Sequence, residues 1–172
     1  MNLSVSQATG VWTQDDGTVL IHAGQAWSGN DRNPTVNPHG IHGKNNPGTV
    51  TLPVVPGASV QVGPATQPLD GSTVQAQDIH CIGCTPLGVY RFGEWAMTPG
   101  DQARLGYPTH LGLCSSHLIP IAGNTPGRTG LYCHGPAEGD LFGQESEGCQ
   151  VVMHDYRYQL AAMKPDTLTV TP

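Results

Sequence analysis

Apolar and polar residues alternate along this chain in short runs, and the runs are separated by turn residues. Residues 3 to 27 alternate at Leu3, Val5, Val11, Leu20 and His22. The Thr9-Gly10 and Asp15-Asp16-Gly17 turn signals divide them into two or three short strands. Asp15 and Asp16 read as turn residues. Residues 28 to 48 lose the alternation; their Gly, Asn, Pro and Asp predict a loop in which His39 and His42 are solvated. Alternation returns over residues 49 to 75 at Val50, Leu52, Val54, Val60 and Val62. Pro53, Pro56, Pro64 and Pro68 restrict that stretch to edge strands or extended connectors.

The clearest strand lies within residues 86 to 97, with Leu87, Val89, Phe92 and Trp95, and its aromatics read as core. A short helix or turn is expected at 101–106, a buried strand at 111–121 and another short strand at 130–134. Residues 135 to 148 form a Gly- and acid-rich loop. Residues 149 to 163 begin as a strand and turn helical near YRYQLAAM, ending before Pro165. No repeat or linker divides the chain, so one domain over residues 1–172 is expected, mainly β with one or two short helices.

Composition agrees with that pattern and narrows the function. With 23 Gly and 15 Pro among 172 residues, helices are interrupted too often for a bundle. Only 12% of residues are charged, which excludes a coiled coil or a charged tail. The net charge is -6, and the seven Lys and Arg are scattered from Arg32 to Lys164. No basic patch exists to neutralise phosphates, so no nucleic-acid partner is expected. No apolar run is long enough for a membrane anchor. The first 25 residues hold no Lys or Arg and no continuous apolar stretch, so no secretory signal is expected there.

The five cysteines, Cys81, Cys84, Cys114, Cys133 and Cys149, are an odd number. In an oxidising compartment four could pair and leave one thiol, and the sequence does not choose among the pairings. The informative stretch is HGPAEGDLFGQESEGC, from His134 to Cys149. Two adjacent short strands would bring His134 beside Cys149, where an imidazole can accept the thiol proton. Gly148 permits close backbone approach, so amides near Gly148 and Cys149 could face a developing oxyanion. Ser146 could donate a hydrogen bond or fix the turn. A buried structural cysteine beside a turn histidine is the plain alternative.

His134-Gly135 followed by Ser146, Gly148 and Cys149 resembles the signature of YkuD-type L,D-transpeptidases. The N-terminal half resembles the L,D-transpeptidase effectors of type VI secretion, through Thr9-Gly10, Asp16-Gly17, Trp27-Ser28-Gly29, Asn45-Asn46-Pro47 and the GCTPLGVY strand from Gly83 to Tyr90. The resemblance covers roughly residues 9–47 and 80–160, and residues 49–79 look inserted. It departs from the family where Trp27 replaces Tyr, where Cys84 replaces Pro, and where Gln150-Val151 stand in place of a frequent Arg. Arg128 and Arg157, which could replace that Arg, are expected at the surface.

The resemblance implies a compact sandwich- or barrel-like β domain that needs no cofactor or metal. It implies that Cys149 attacks the carbonyl of the third residue of a peptidoglycan tetrapeptide stem, with His134 as base and then acid. The thioester would pass to water, giving L,D-carboxypeptidase activity, or to an amine such as a D-amino acid. It further implies an antibacterial effector made in the cytoplasm and acting in a target periplasm, with an immunity protein and a secretion-spike component as partners. Glu138, Asp140, Glu145 and Glu147 lie between the two catalytic positions. One or more is expected to face a cationic amine of the substrate, the alternative being a solvated acidic loop.

Three other readings compete. His80, Cys81 and Cys84 form HCxxC, with Cys114, His117, Cys133 and His134 as further zinc ligands, but the second half-site is scattered. A Cys81–Cys84 or Cys114–Cys133 disulfide is the stronger expectation in a periplasm. Papain-like peptidases place Cys before His, the reverse of this order. An inactive wall-binding or secretion-associated protein is the non-enzymatic alternative.

Overall fold

Short strands dominate the computed structural model, which describes residues 1–29, 37–123, 128–136 and 148–172. In chain order the strands begin with β1 (Asn2–Ser6), β2 (Trp12–Gln14), β3 (Val19–Ile21) and β4 (Ala26–Trp27). β5 (Thr49–Thr51), β6 (Val54–Val62), β7 (Ala65–Asp70), β8 (Thr73–Gln75) and β9 (Gly88–Phe92) follow. Then come α1 (Pro99–Leu105), β10 (Ser116–Ala122), β11 (Tyr132–His134), β12 (Gln150–Val152), α2 (His154–Met163) and β13 (Thr167–Thr171). Nine strands form one nearly closed, barrel-like sheet in the order β3-β2-β1-β13-β9-β10-β11-β12-β4. The architecture is mainly β with two helices, as the turn-rich composition predicts.

Local chemistry accounts for the element ends. Asp16 accepts a hydrogen bond from the Thr18 N–H at 2.9 Å and Gly17 takes the left-handed backbone, closing the β2–β3 hairpin. Thr98 and Asp101 form a reciprocal capping box at the start of α1, and Gly106 ends it in the left-handed region. α2 buries Arg157, Leu160 and Ala161 and stops at Lys164, just before Pro165.

The main core lies on the nine-stranded sheet and includes Leu3, Trp12, Tyr90, Leu118, Leu160 and Leu168. Tyr90 and Phe92 are buried, so the aromatics of that strand are core. A second apolar cluster, around Leu52, Leu69, Ile79 and Ile82, belongs to residues 41–82. There β5 pairs with β8 and β6 with β7, as two separate two-stranded sheets. Every strand in such a sheet is an edge strand, which is why Pro56 and Pro68 are tolerated inside β6 and β7.

Several elements differ from the sequence expectation. The strand expected from residue 111 starts only at Ser116, because Cys114 takes a left-handed φ of 58° that ends extended pairing. α2 begins at His154, before the YRYQLAAM run. β13, which the patterning did not assign, sits inside the sheet, parallel to β1 and antiparallel to β9.

Candidate active site

The parallel pairing of β11 with β12 sets the site. Its register matches Cys133 with Gln150 and His134 with Val151. Successive side chains alternate faces, and matched residues share a face. Cys149 lies just before β12, in the bend that leads into it. The Tyr132 N–H donates to the Cys149 sulfur at 3.3 Å, which sets the thiol against the β11 backbone two residues before His134. Both His134 and Cys149 are buried. No hydrogen bond between their side chains is among those described.

The imidazole of His134 is held in one tautomer. Nδ1 lies 2.6 Å from the Gly135 carbonyl, which can only accept, so Nδ1 carries the proton and Nε2 keeps its lone pair. Burial pushes the imidazole pKa down to about 4; Arg157 and His110 act in the same direction, and the Gly135 carbonyl opposes them. His134 is therefore neutral at pH 7.

Gly148 has a φ of 109°, and a Cβ there would collide with the Arg128 guanidinium. Glycine is required on both counts. Its carbonyl accepts from the Thr85 hydroxyl at 2.6 Å and from the Ser28 hydroxyl at 3.2 Å. Because the peptide is trans, fixing that carbonyl turns the Cys149 N–H the opposite way.

Sequence reasoning singled out the segments of Ser28 and Thr85 but gave neither residue a role. Their motifs converge on this strand. The Ser28 N–H donates to Asn45 Oδ1 at 2.9 Å, and the Asn45 N–H donates to the Ser28 carbonyl at 2.7 Å. Trp27 pairs with Val151 across β4 and β12. Gly10 lies so close to the Ala26 carbonyl that a Cβ would clash.

Two arginines correct the sequence reading. Arg128 and Arg157, expected at the surface, are only 4% and 7% exposed. Arg128 donates to the carbonyls of Gln77, Ile79, Gly83 and Cys84. Arg157 donates to those of Leu113 and Cys114. Turn carbonyls solvate both guanidinium groups, which permits burial that a residue-type argument does not anticipate.

Ser146, Glu138, Asp140, Glu145 and Glu147 lie outside the described residues. His39 and His42 are exposed. None of the five cysteines forms a disulfide. Among the described residues, no group of three or more His, Cys, Asp or Glu is arranged to hold a metal ion. A cavity of about 580 Å³ opens between the Gly93–Met97 segment and α2, lined by Trp95, Tyr158 and Ala161. His134 and Cys149 do not line it, so this cavity lies apart from the candidate pair.

Comparison of the chain with protein-family models, with curated proteins and with solved structures returned no match.

Proposed function

We propose that the protein is a cysteine acyl-transfer enzyme of the L,D-transpeptidase type, acting on tetrapeptide stems of peptidoglycan. The observation that carries this reading is the hydrogen bond from the Tyr132 N–H to the Cys149 sulfur, which holds the thiol against β11 two residues from a neutral, single-tautomer His134. The order of the motif, His134-Gly135 before Gly148-Cys149, supplies the choice of reaction class.

In this reading Nε2 of His134 removes the Cys149 proton as sulfur attacks the carbonyl of the third stem residue. The low basicity of the imidazole favours transfer in concert with attack over a resting ion pair. The Cys149 N–H, turned away from Ser28 and Thr85, stabilises the oxyanion. The C–N bond breaks, the His134 proton passes to the leaving D-alanine amine, and a thioester remains on Cys149. Water converts it to a tripeptide; a D-amino acid or a second stem amine converts it to an exchanged or cross-linked product.

Delivery by a type VI machine into a target periplasm, with an immunity protein and a spike component as partners, is supported by the N-terminal motifs alone. The expected contact of Glu138, Asp140, Glu145 or Glu147 with a substrate amine rests on their position in the sequence.

Incubation with purified muropeptides, followed by mass analysis, tests the activity. Wild type should convert tetrapeptides to tripeptides, or to exchanged tetrapeptides when D-amino acids are added, and Cys149→Ala should not. Identical profiles for the two would end the enzyme reading and leave wall binding as the function to test.

A further inference from the structure

Arg157 is a buried cation with no carboxylate partner among the described residues. Nη1 donates to two carbonyls, at Leu113 and Cys114, while Nε is buried without a hydrogen-bond partner. A buried charge set against peptide carbonyls is costly to desolvate. Its guanidinium packs directly on Gly135: a Cβ there would lie 2.5 Å from Cζ and Nη2 and 2.9 Å from Nη1. Gly135 is thus the residue whose missing side chain admits Arg157. It is also the residue whose carbonyl holds the Nδ1 proton of His134.

We propose that Arg157 is a positioning residue for His134. Wedged between the Leu113–Cys114 carbonyls and Gly135, it fixes the carbonyl that orients the imidazole and selects the tautomer with Nε2 unprotonated. Three separate segments meet at this contact: α2 supplies the guanidinium, the turn before β10 supplies its acceptors, and the end of β11 supplies the base. The charge has a second consequence. Arg157 on α2 and His110 in the turn at Thr109–Leu111 both disfavour the imidazolium, and the Gly135 carbonyl favours it. Cys149 reaches the same strand from the β12 side, through the Tyr132 N–H. The functional half of this inference rests on the acyl-transfer reading, but the structural half does not.

The imidazole can be followed without substrate, by NMR of protein carrying 15N-labelled histidine, with His134→Gln identifying the signal. Wild type should show the Nδ1-protonated tautomer and stay neutral to well below pH 6. Arg157→Gln should mix the tautomers and raise the midpoint, and Arg157→Lys, which keeps the charge, should hold the midpoint low. A folded Arg157→Gln with the wild-type tautomer and midpoint overturns the proposal. So does a wild-type imidazole protonated at Nε2, a result that needs no variant to fold. In the muropeptide assay, the acid limb of kcat/KM should move upward in Arg157→Gln and return in Arg157→Lys. An inactive wild type with the expected NMR titration would sink the acyl-transfer reading and leave the positioning contact standing.

Discussion

The Thr85 hydroxyl donates to the Gly148 carbonyl at 2.6 Å, although 63 residues of chain separate them. Ser28 reinforces the contact from a third segment: its hydroxyl reaches the same carbonyl and accepts the Thr85 N–H at 2.7 Å. These buried bonds hold the peptide that leads into Cys149, so they bear on both folding and the orientation of the proposed oxyanion donor.

Thr85→Val removes the hydroxyl at nearly constant shape and leaves the Gly148 carbonyl short of a partner. The expected cost is about 1–2 kcal/mol of stability. A loss of roughly tenfold or more in muropeptide turnover should accompany it, because small displacements of a reacting group are expensive. Denaturant melts and turnover of the folded variant measure the two effects separately. Unchanged turnover would mean that Gly148 is held in place without Thr85.

Gly148→Ala should be far more damaging than a surface Gly→Ala change. The left-handed φ disfavours any side chain, and the Arg128 guanidinium fills the space. Strain and displacement of a buried arginine together predict a loss of about 3 kcal/mol or more, or failure to fold. Gly17→Ala, at a similar positive φ with open space around it, provides the strain-only comparison.

Acid should destabilise the protein through His134. The unfolded imidazole binds a proton near pH 6.5, whereas burial delays protonation of the native one until about 4. The unfolded state therefore gains protons first, and stability falls as pH drops from 6.5 towards 4, by roughly 3 kcal/mol from this group. Thermal melts at pH 7.5 and pH 4.5 should show a smaller difference for His134→Gln than for wild type. Equal differences would assign the acid sensitivity to other groups.

Thiol labelling should separate the cysteines by burial. Cys81 is exposed, while Cys84 and Cys133 are fully buried, and burial pushes the Cys84 thiol up to about 12. A disulfide reagent at pH 8 should modify Cys81 quickly and reach Cys84 and Cys133 only as the protein unfolds. Peptide mapping after a brief pulse reads this directly, and early modification of Cys133 would contradict the packing.

Arg128→Met should loosen residues 76–84 selectively. It removes the donor shared by the carbonyls of Gln77, Ile79, Gly83 and Cys84, four acceptors beside the second apolar cluster, of which Ile79 keeps the Gly83 N–H. Hydrogen exchange should rise there and much less in β1 and β13. Uniform exchange across the chain would show that Arg128 supports the whole fold.

Much of this architecture was legible in the chain. Alternation bounded by Gly and Asp predicts β2 and β3, and GLYCH predicts β11, because local sterics and a period of two set both. TLTVT alternates, yet the patterning alone does not assign β13. A five-residue terminal strand has little local stabilisation, and this one exists through its pairing with β1 and β9. The helix at α2 was expected from its residues but not its start at His154, since helix ends depend on what they pack against.

Local patterning is enough to give a turn-rich β domain, to single out His134 and Cys149, and to place Gly148 directly before a nucleophile candidate. What surrounds them comes from long-range pairing. The parity of the β11–β12 register sets which side chains share a face, and no local pattern contains that register. Arg128 and Arg157 are buried because carbonyls from distant turns converge on them. Ser28 and Thr85 acquire a role for the same reason, since hydrogen-bond partners dozens of residues apart become neighbours only when the sheet closes.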